Sequence, residues 1–256
     1  MSSIDSNSSR NSLIDQKEDE NLRNSFYKYA KSLSDLARSV GIDLQPVSSP
    51  SLPYFSSLPS ENKRGVIRAI TQYLEICEAT IASGHSLLDS RRITWNALKA
   101  LGLTPCSDFL DKIGDGDIIE IYDTQNLQIF RNFEFFQLCS YTIEEIYCRP
   151  WTTLFKRIDE TITTQIVSTV ERIVTENKRQ TYTLNIPEHI VEEADSPFRL
   201  RMNVKLKYLS PLYANGSINA LIAVEEANLL GAPLDDLQKE RLLAAHYKLT
   251  PDNLQP

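Results

Sequence analysis

"GDGDIIEIYDTQNLQIFRNFEFFQLCSYTIEEIYCRPWTTLF", residues 114–155, decides the fold. Its apolar residues first alternate and then do not. "IIEIYDT" and "LQIFRN" carry the two-residue period of strands, and "DTQN" between them has the composition of a hairpin turn. Short helical pieces follow over residues 133–139 and 142–147. Thr142 precedes Glu145 by three positions, the spacing of a capping box in which each side chain binds the other's backbone N–H. "RPWTTLF" reads as a third short helical piece. The stretch is aromatic and contains no catalytic set.

Downstream, residues 159–177 spell an amphipathic helix capped by Asp159, with Ile162, Ile166, Val170, Ile173 and Val174 in one stripe. The strand period then returns. "QTYTLNI" (180–186) is a third strand, which places His189 in the loop after it. "PFRLRMNVKLKYLSPLY" (197–213) is a fourth, with Leu200, Met202, Val204, Leu206 and Tyr208 on one face and Arg199, Arg201, Asn203, Lys205 and Lys207 on the other. Asn215–Gly216 is a hairpin turn signal, and "SINALIAVEEA" (217–227) is a fifth strand paired to the fourth. Both faces of that strand are partly apolar, so both are expected to be covered. A further helix is expected over residues 234–248.

Upstream the period is helical. Leu22, Phe26, Tyr29, Leu33, Leu36 and Val40 recur at steps of four and three, a heptad seam that Gly41 ends. Such a seam suits either an amphipathic helix lying on a domain or a dimerising coiled coil. "QPVSSPSLPYFSSLPS" (45–60) is rich in proline and serine and reads as a linker, with Ser60 placed to cap the next helix. A long helical pattern containing Ile70, Leu74, Cys77 and Ile81 follows to about residue 101, with a kink or split expected between Gly84 and residue 89. Residues 1–20 read as a disordered tail. Ile70, Leu74 and Ile81 join the seam residues as dimerisation candidates.

The totals exclude several classes. The chain has 256 residues and a net charge of −7, so no overall basic character points to nucleic acid or to an anionic membrane. No apolar run is long enough to span a bilayer, and the first residues do not form a secretory signal. Cys77, Cys106, Cys139 and Cys148 form no C-x-x-C pair, which suits a reducing compartment, so a cytoplasmic location is expected. No nucleophile elbow, phosphate loop or H-E-x-x-H motif occurs, so a non-catalytic protein is expected.

The order of two strands, short helical pieces, a longer helix and three antiparallel strands resembles the PAS domain. Asn132 and Phe133 are similar to the family's N-x-A-F start. Ser140, Tyr141, Thr142, Glu144, Glu145 and Ile146 are similar to its G-Y-(S/T)-x-(E/D)-E-(L/I) stretch, with Cys148 standing where a glycine is usual before Arg149. "AVEEAN" (223–228) resembles the closing strand and its signal junction, with Glu226 at the acidic position and Asn228 at the last. The resemblance covers roughly residues 107–229. It implies an α+β fold: a five-stranded antiparallel sheet with short helices and one longer helix on one face, here preceded by an α-helical region (21–105) and followed by a helix and tail (230–256).

The resemblance also implies a sensor or dimeriser whose sheet curves around an inner space, which in some members holds haem, flavin or a small organic ligand. Haem is disfavoured because residues 159–177 contain no histidine, and His246 lies in the tail. A light-sensing flavin site is disfavoured because Cys148–Arg149 lacks the flanking Asn and Gln. No cofactor is therefore expected. Candidate lining residues for a small organic ligand are Tyr122, Phe133, Phe136, Trp151, Phe155, Ile166, Tyr182, Met202 and Tyr208. The competing reading is that these side chains fill the core, which leaves an interaction module. A transcriptional regulator is a third reading, disfavoured by the charge. No kinase, cyclase or DNA-binding pattern follows residue 230, so output is expected to pass through a separate protein, and the flanking helices are expected to form a homodimer.

Overall fold

The heptad seam turns inward. In the computed structural model, which describes residues 5–124, 128–193 and 200–231, it lies on helix α1, Asp5–Ser39. Phe26 and Leu33 have no exposed surface, and Leu22, Tyr29, Leu36 and Val40 pack at the margin of the same core. Phe26 stacks on Phe55 with ring centroids 4.4 Å apart. The seam therefore packs within the chain, which corrects the dimerising reading. The amphipathic stripe is satisfied by later helices of the same chain before any partner is needed. Ile70 and Leu74 are buried there too, and only Ile81, 46% exposed, faces outward. The helix also begins at Asp5, so residues 5–20 are not a disordered tail.

The proline- and serine-rich segment is not a slack linker. It holds a short helix α2, Pro53–Ser56, entered through Leu52 in the left-handed conformation (φ 53°). Helix α3 spans Ser60–Ala82, and its cap position is Pro59 rather than Ser60, with no side-chain cap. The expected split follows. Gly84 adopts φ 77°, and helix α4, Ser90–Ala100, restarts with Asp89 accepting from the Arg92 N–H.

One antiparallel sheet of six strands follows. Its strands are β1 Ile118–Asp123, β2 Gln128–Arg131, β3 Phe155–Arg157, β4 Tyr182–Glu192, β5 Arg201–Ala214 and β6 Ser217–Leu229, in the spatial order β2-β1-β6-β5-β4-β3. Helices α5 (Phe133–Leu138) and α6 (Ile143–Cys148) and a 3₁₀ turn (Trp151–Thr153) lie between β2 and β3. Helix α7, Thr161–Glu176, joins β3 to β4. The Thr142–Glu145 capping box forms as expected. Asn215 (φ 52°) and Gly216 (φ 83°) make the β5–β6 hairpin, as their sequence signal requires.

The sheet differs from the expected five strands in three places. Strand β3 has only three residues, too few for a period to show in sequence. Strand β4 runs on through Pro187 to Glu192, so His189 is in a strand and not in a loop. Proline is tolerated there because β3 pairs only with residues 190–192, leaving β4 an edge at Pro187. A bulge in β5 between Leu206 and Tyr208 then breaks the strict alternation. It turns Lys207 toward the Asp117 carboxylate, 2.8 Å away, and carries Tyr208 to the opposite face from Met202, Val204 and Leu206.

Two layers cover the sheet. On one face Ile119, Ile121, Leu212, Ala220, Ile222 and Val224 pack into the core that the N-terminal helices share. On the other, Ile166, Val170 and Ile173 of α7 cover Tyr182, Leu206, Leu209 and Ala223. Of the α7 stripe, Val174 is exposed. The helix expected at 234–248, His246 and Arg199 lie outside the described residues.

Candidate functional site: a buried charge cluster on the inner sheet face

Strand register gathers the site. Glu120 pairs with Arg131 and Tyr122 with Gln128. Glu225 lies opposite Ile118, two residues from Glu120 along β1, so it shares that face. Glu188 is linked through Val204 to Ala227, two residues beyond Glu225. Arg157 lies opposite Ile190, two residues beyond Glu188. The two-residue side-chain period, with the irregularity in the β1–β2 pairing that brings Gln128 onto the same face as Arg131, places all seven residues, from five strands, on the face that α7 partly covers.

Their contacts form a chain. Arg131, 2% exposed, donates from Nη2 to Glu120 Oε1 at 2.7 Å and to the Tyr122 hydroxyl at 3.2 Å. The Tyr122 hydroxyl donates to Glu120 Oε2 at 2.6 Å. The Phe135 ring of α5 covers the Arg131 guanidinium at 3.7 Å, a close cation–π contact. The Trp151 ring stands 6.2 Å from Tyr122 and 5.0 Å from the Arg157 guanidinium. Arg157 Nε donates to Glu188 Oε2 at 2.6 Å.

Three carboxylates meet two guanidiniums here. Glu120 and Glu188 each have an arginine, and Glu225 is the acid left over. Burial, then the Glu120 and Glu188 charges, push the Glu225 carboxyl up to about 8, against the pull of Arg131 and Arg157. Burial also raises Glu188, with Arg157 pulling it back. Trp151 Nε1, Arg131 Nε and Nη1, and both amide atoms of Gln128 are buried without a hydrogen-bond partner.

The residues singled out by sequence divide between the faces. Tyr122 and Trp151 line the cluster. Phe155 and Met202 pack together beside it, and Ile166 of α7 packs over the apolar cluster that holds Tyr182. Phe133 and Phe136 pack against Tyr73 of α3, at 5.8 and 6.3 Å, and Tyr208 sits near Lys112 and Lys207 on the other face. These last three do not share a space with the others. Glu226 and Asn228 are exposed positions on β6, opposite Lys205 and Asn203. Burial pushes the Cys148 and Cys139 thiols up, so neither is a poised thiolate.

Two buried polar knots tie the N-terminal helices to this sheet. Asn132 Oδ1 accepts from the Ile119 N–H at 3.0 Å, and its Nδ2 donates to Ser90 Oγ (2.9 Å) and to the Asp117 carbonyl (2.7 Å). This joins α4, β1 and the start of α5. The Glu144 carboxylate of α6, fully buried, accepts from Ser48 N–H and Oγ and from the Tyr54 and Phe55 N–H groups, all in the proline- and serine-rich segment 45–60, which acts as a strap. In return, the Ile143 and Glu144 N–H groups donate to the Gln45 and Pro46 carbonyls.

The inner charge cluster escaped sequence reasoning. The sequence places Glu120, Arg131 and Glu225 in strands and Glu188 in the loop expected after the third strand, with nothing to pair them. The one signal was the pairing of charged residues with Tyr122 and Trp151 in an otherwise apolar stretch. Compared with known proteins, the chain matches no family model, no curated sequence and no solved structure. Among the described residues no helix is long and apolar enough to cross a membrane, and no group of His, Cys, Asp and Glu is placed to hold a metal ion.

Proposed function

We propose that the chain is a regulatory module of the PAS type that senses a small molecule at the inner sheet face and passes the signal through its flanking helices to a separate output protein. The observation that carries this reading is the set of buried, unpartnered polar atoms on Gln128, Arg131 and Trp151. Native interiors leave few such groups, and each one calls for a water, an ion or a ligand. The succession of two strands, short helices, a longer helix and three long strands supports the family resemblance, with β3 as an addition.

The relay has a physical route. The ligand face shares β1 and β2 with the Asn132 knot, and that knot reaches α4. A ligand that prefers one packing of this region biases the helices by its difference in affinity for the two packings. The second reading, an interaction module with a filled core, is favoured by the packing of Phe133 and Phe136 on Tyr73. Native mass spectrometry of the purified chain, followed by thermal melts against a metabolite library, separates the two. A retained or stabilising small molecule supports the sensor. A ligand-free protein that no compound stabilises leaves the interaction module.

A further inference from the structure

The unpartnered atoms have a chemical bias. Two guanidinium N–H edges, one indole N–H and one amide NH₂ are donors, and Gln128 Oε1 is the single acceptor among them. Register and contact hold them together: Gln128 lies opposite Tyr122, Arg131 donates to the Tyr122 hydroxyl, and Trp151 packs beside the same ring. A cationic ligand would find Glu120 and Glu188 already occupied by Arg131, Tyr122 and Arg157, and Glu225 held toward its neutral form by burial and like charge. A ligand that brings oxygen acceptors would find donors unmet, each costly to leave buried without a partner.

We infer that this face binds a small organic ligand through carbonyl or carboxylate oxygens, held by the free N–H groups of Arg131, Trp151 and Gln128. The inference rests on the sensor reading above and specifies its ligand. The two candidate oxygen types differ in their link to protons. Each arginine is already neutralised by a glutamate, so a carboxylate adds a negative charge beside Glu225, whose carboxyl burial and like charge already hold toward the protonated form. Near and above pH 8, carboxylate binding therefore takes up a proton on Glu225, and its affinity falls as the pH rises past about 8. Binding of a neutral carbonyl does so much less.

The chain contains two tryptophans, Trp95, which is 45% exposed on α4, and Trp151. Labelling the full chain with ¹⁵N-tryptophan therefore gives a site reporter and an internal control. Propionate, propionamide and propylammonium, three probes of one shape, are titrated in turn. We expect propionate or propionamide to shift the Trp151 indole N–H saturably while Trp95 stays fixed. Gln128→Leu, which removes two unpartnered atoms and so does not threaten the fold, should weaken that binding at least fivefold. If propionate is the better probe, its affinity should fall above pH 8, and Glu225→Gln should remove that dependence. Propionamide as the better probe, with little pH dependence, assigns a carbonyl ligand. Saturable binding of propylammonium alone overturns the assigned chemistry and leaves interior sensing standing. No shift of Trp151 with any probe overturns the site.

Discussion

Replacing Glu144 by alanine tests the strap that joins the N-terminal helices to the sheet domain. Its carboxylate accepts from four donors, Ser48 N–H at 3.3 Å, Ser48 Oγ at 3.0 Å, Tyr54 N–H at 2.9 Å and Phe55 N–H at 3.1 Å. A hydrogen bond to a charged group contributes about 1.5–3 kcal/mol. Four bonds to one carboxylate are not independent, and water can reach the half-exposed end of the strap, so their sum is not the cost. A loss of about 3 kcal/mol is expected. For a chain of this size that lowers Tm by roughly 6–12 °C, at about 2–4 °C per kcal/mol. Glu144→Gln keeps one acceptor oxygen and should cost about half as much. Hydrogen exchange locates the effect: the Tyr54 and Phe55 amides should lose protection first, followed by α1 through the Phe26–Phe55 stack. A Glu144→Ala protein within about 0.5 kcal/mol of the parent, with Tyr54 and Phe55 exchanging at the parent rate, refutes the strap as an anchor.

Other perturbations probe the rest of the argument. Leu33→Asp buries a charge in the α1–α3 core and should unfold α1 at every protein concentration; a defect that dilution or concentration changes would restore the intermolecular seam. Asn132→Ala removes three buried hydrogen bonds and should lose about 2–3 kcal/mol, read by chemical denaturation as a shifted midpoint with an unchanged slope. Glu225 has a folded value raised from 4.5 to about 8, so its contribution is complete below pH 4.5 and is lost as pH rises through 8. Glu225→Gln should therefore melt higher than the parent at pH 9, and the gap should close toward pH 4.5; a gap independent of pH would remove Glu225 from the buried cluster.

Local chemistry was legible in sequence wherever the cause lies within a few residues. The capping box needs only Thr142 and Glu145, and the hairpin needs only Asn215 and Gly216 to accept positive φ. The split between α3 and α4 follows from Gly84 and Asp89. The same holds for the order of the other strands and helices from β1 to β6, β3 excepted, because the change from a period of 3.6 to a period of 2 is a local property.

What the tertiary structure decided is which partner each face meets. A heptad stripe specifies that Phe26 and Leu33 will be buried, and only the fold reveals that α3 and the strap bury them in place of a second chain. A single bulge reverses the facing of Lys207 and Tyr208, and nothing in "VKLKYL" announces it. The inner cluster draws Glu120, Arg131, Arg157, Glu188 and Glu225 from five strands spread over more than a hundred positions. Each alone is an ordinary polar position of an alternating strand. Register brings them together, and burial makes their charges interact strongly, so the site belongs to the sheet and not to any segment of the chain.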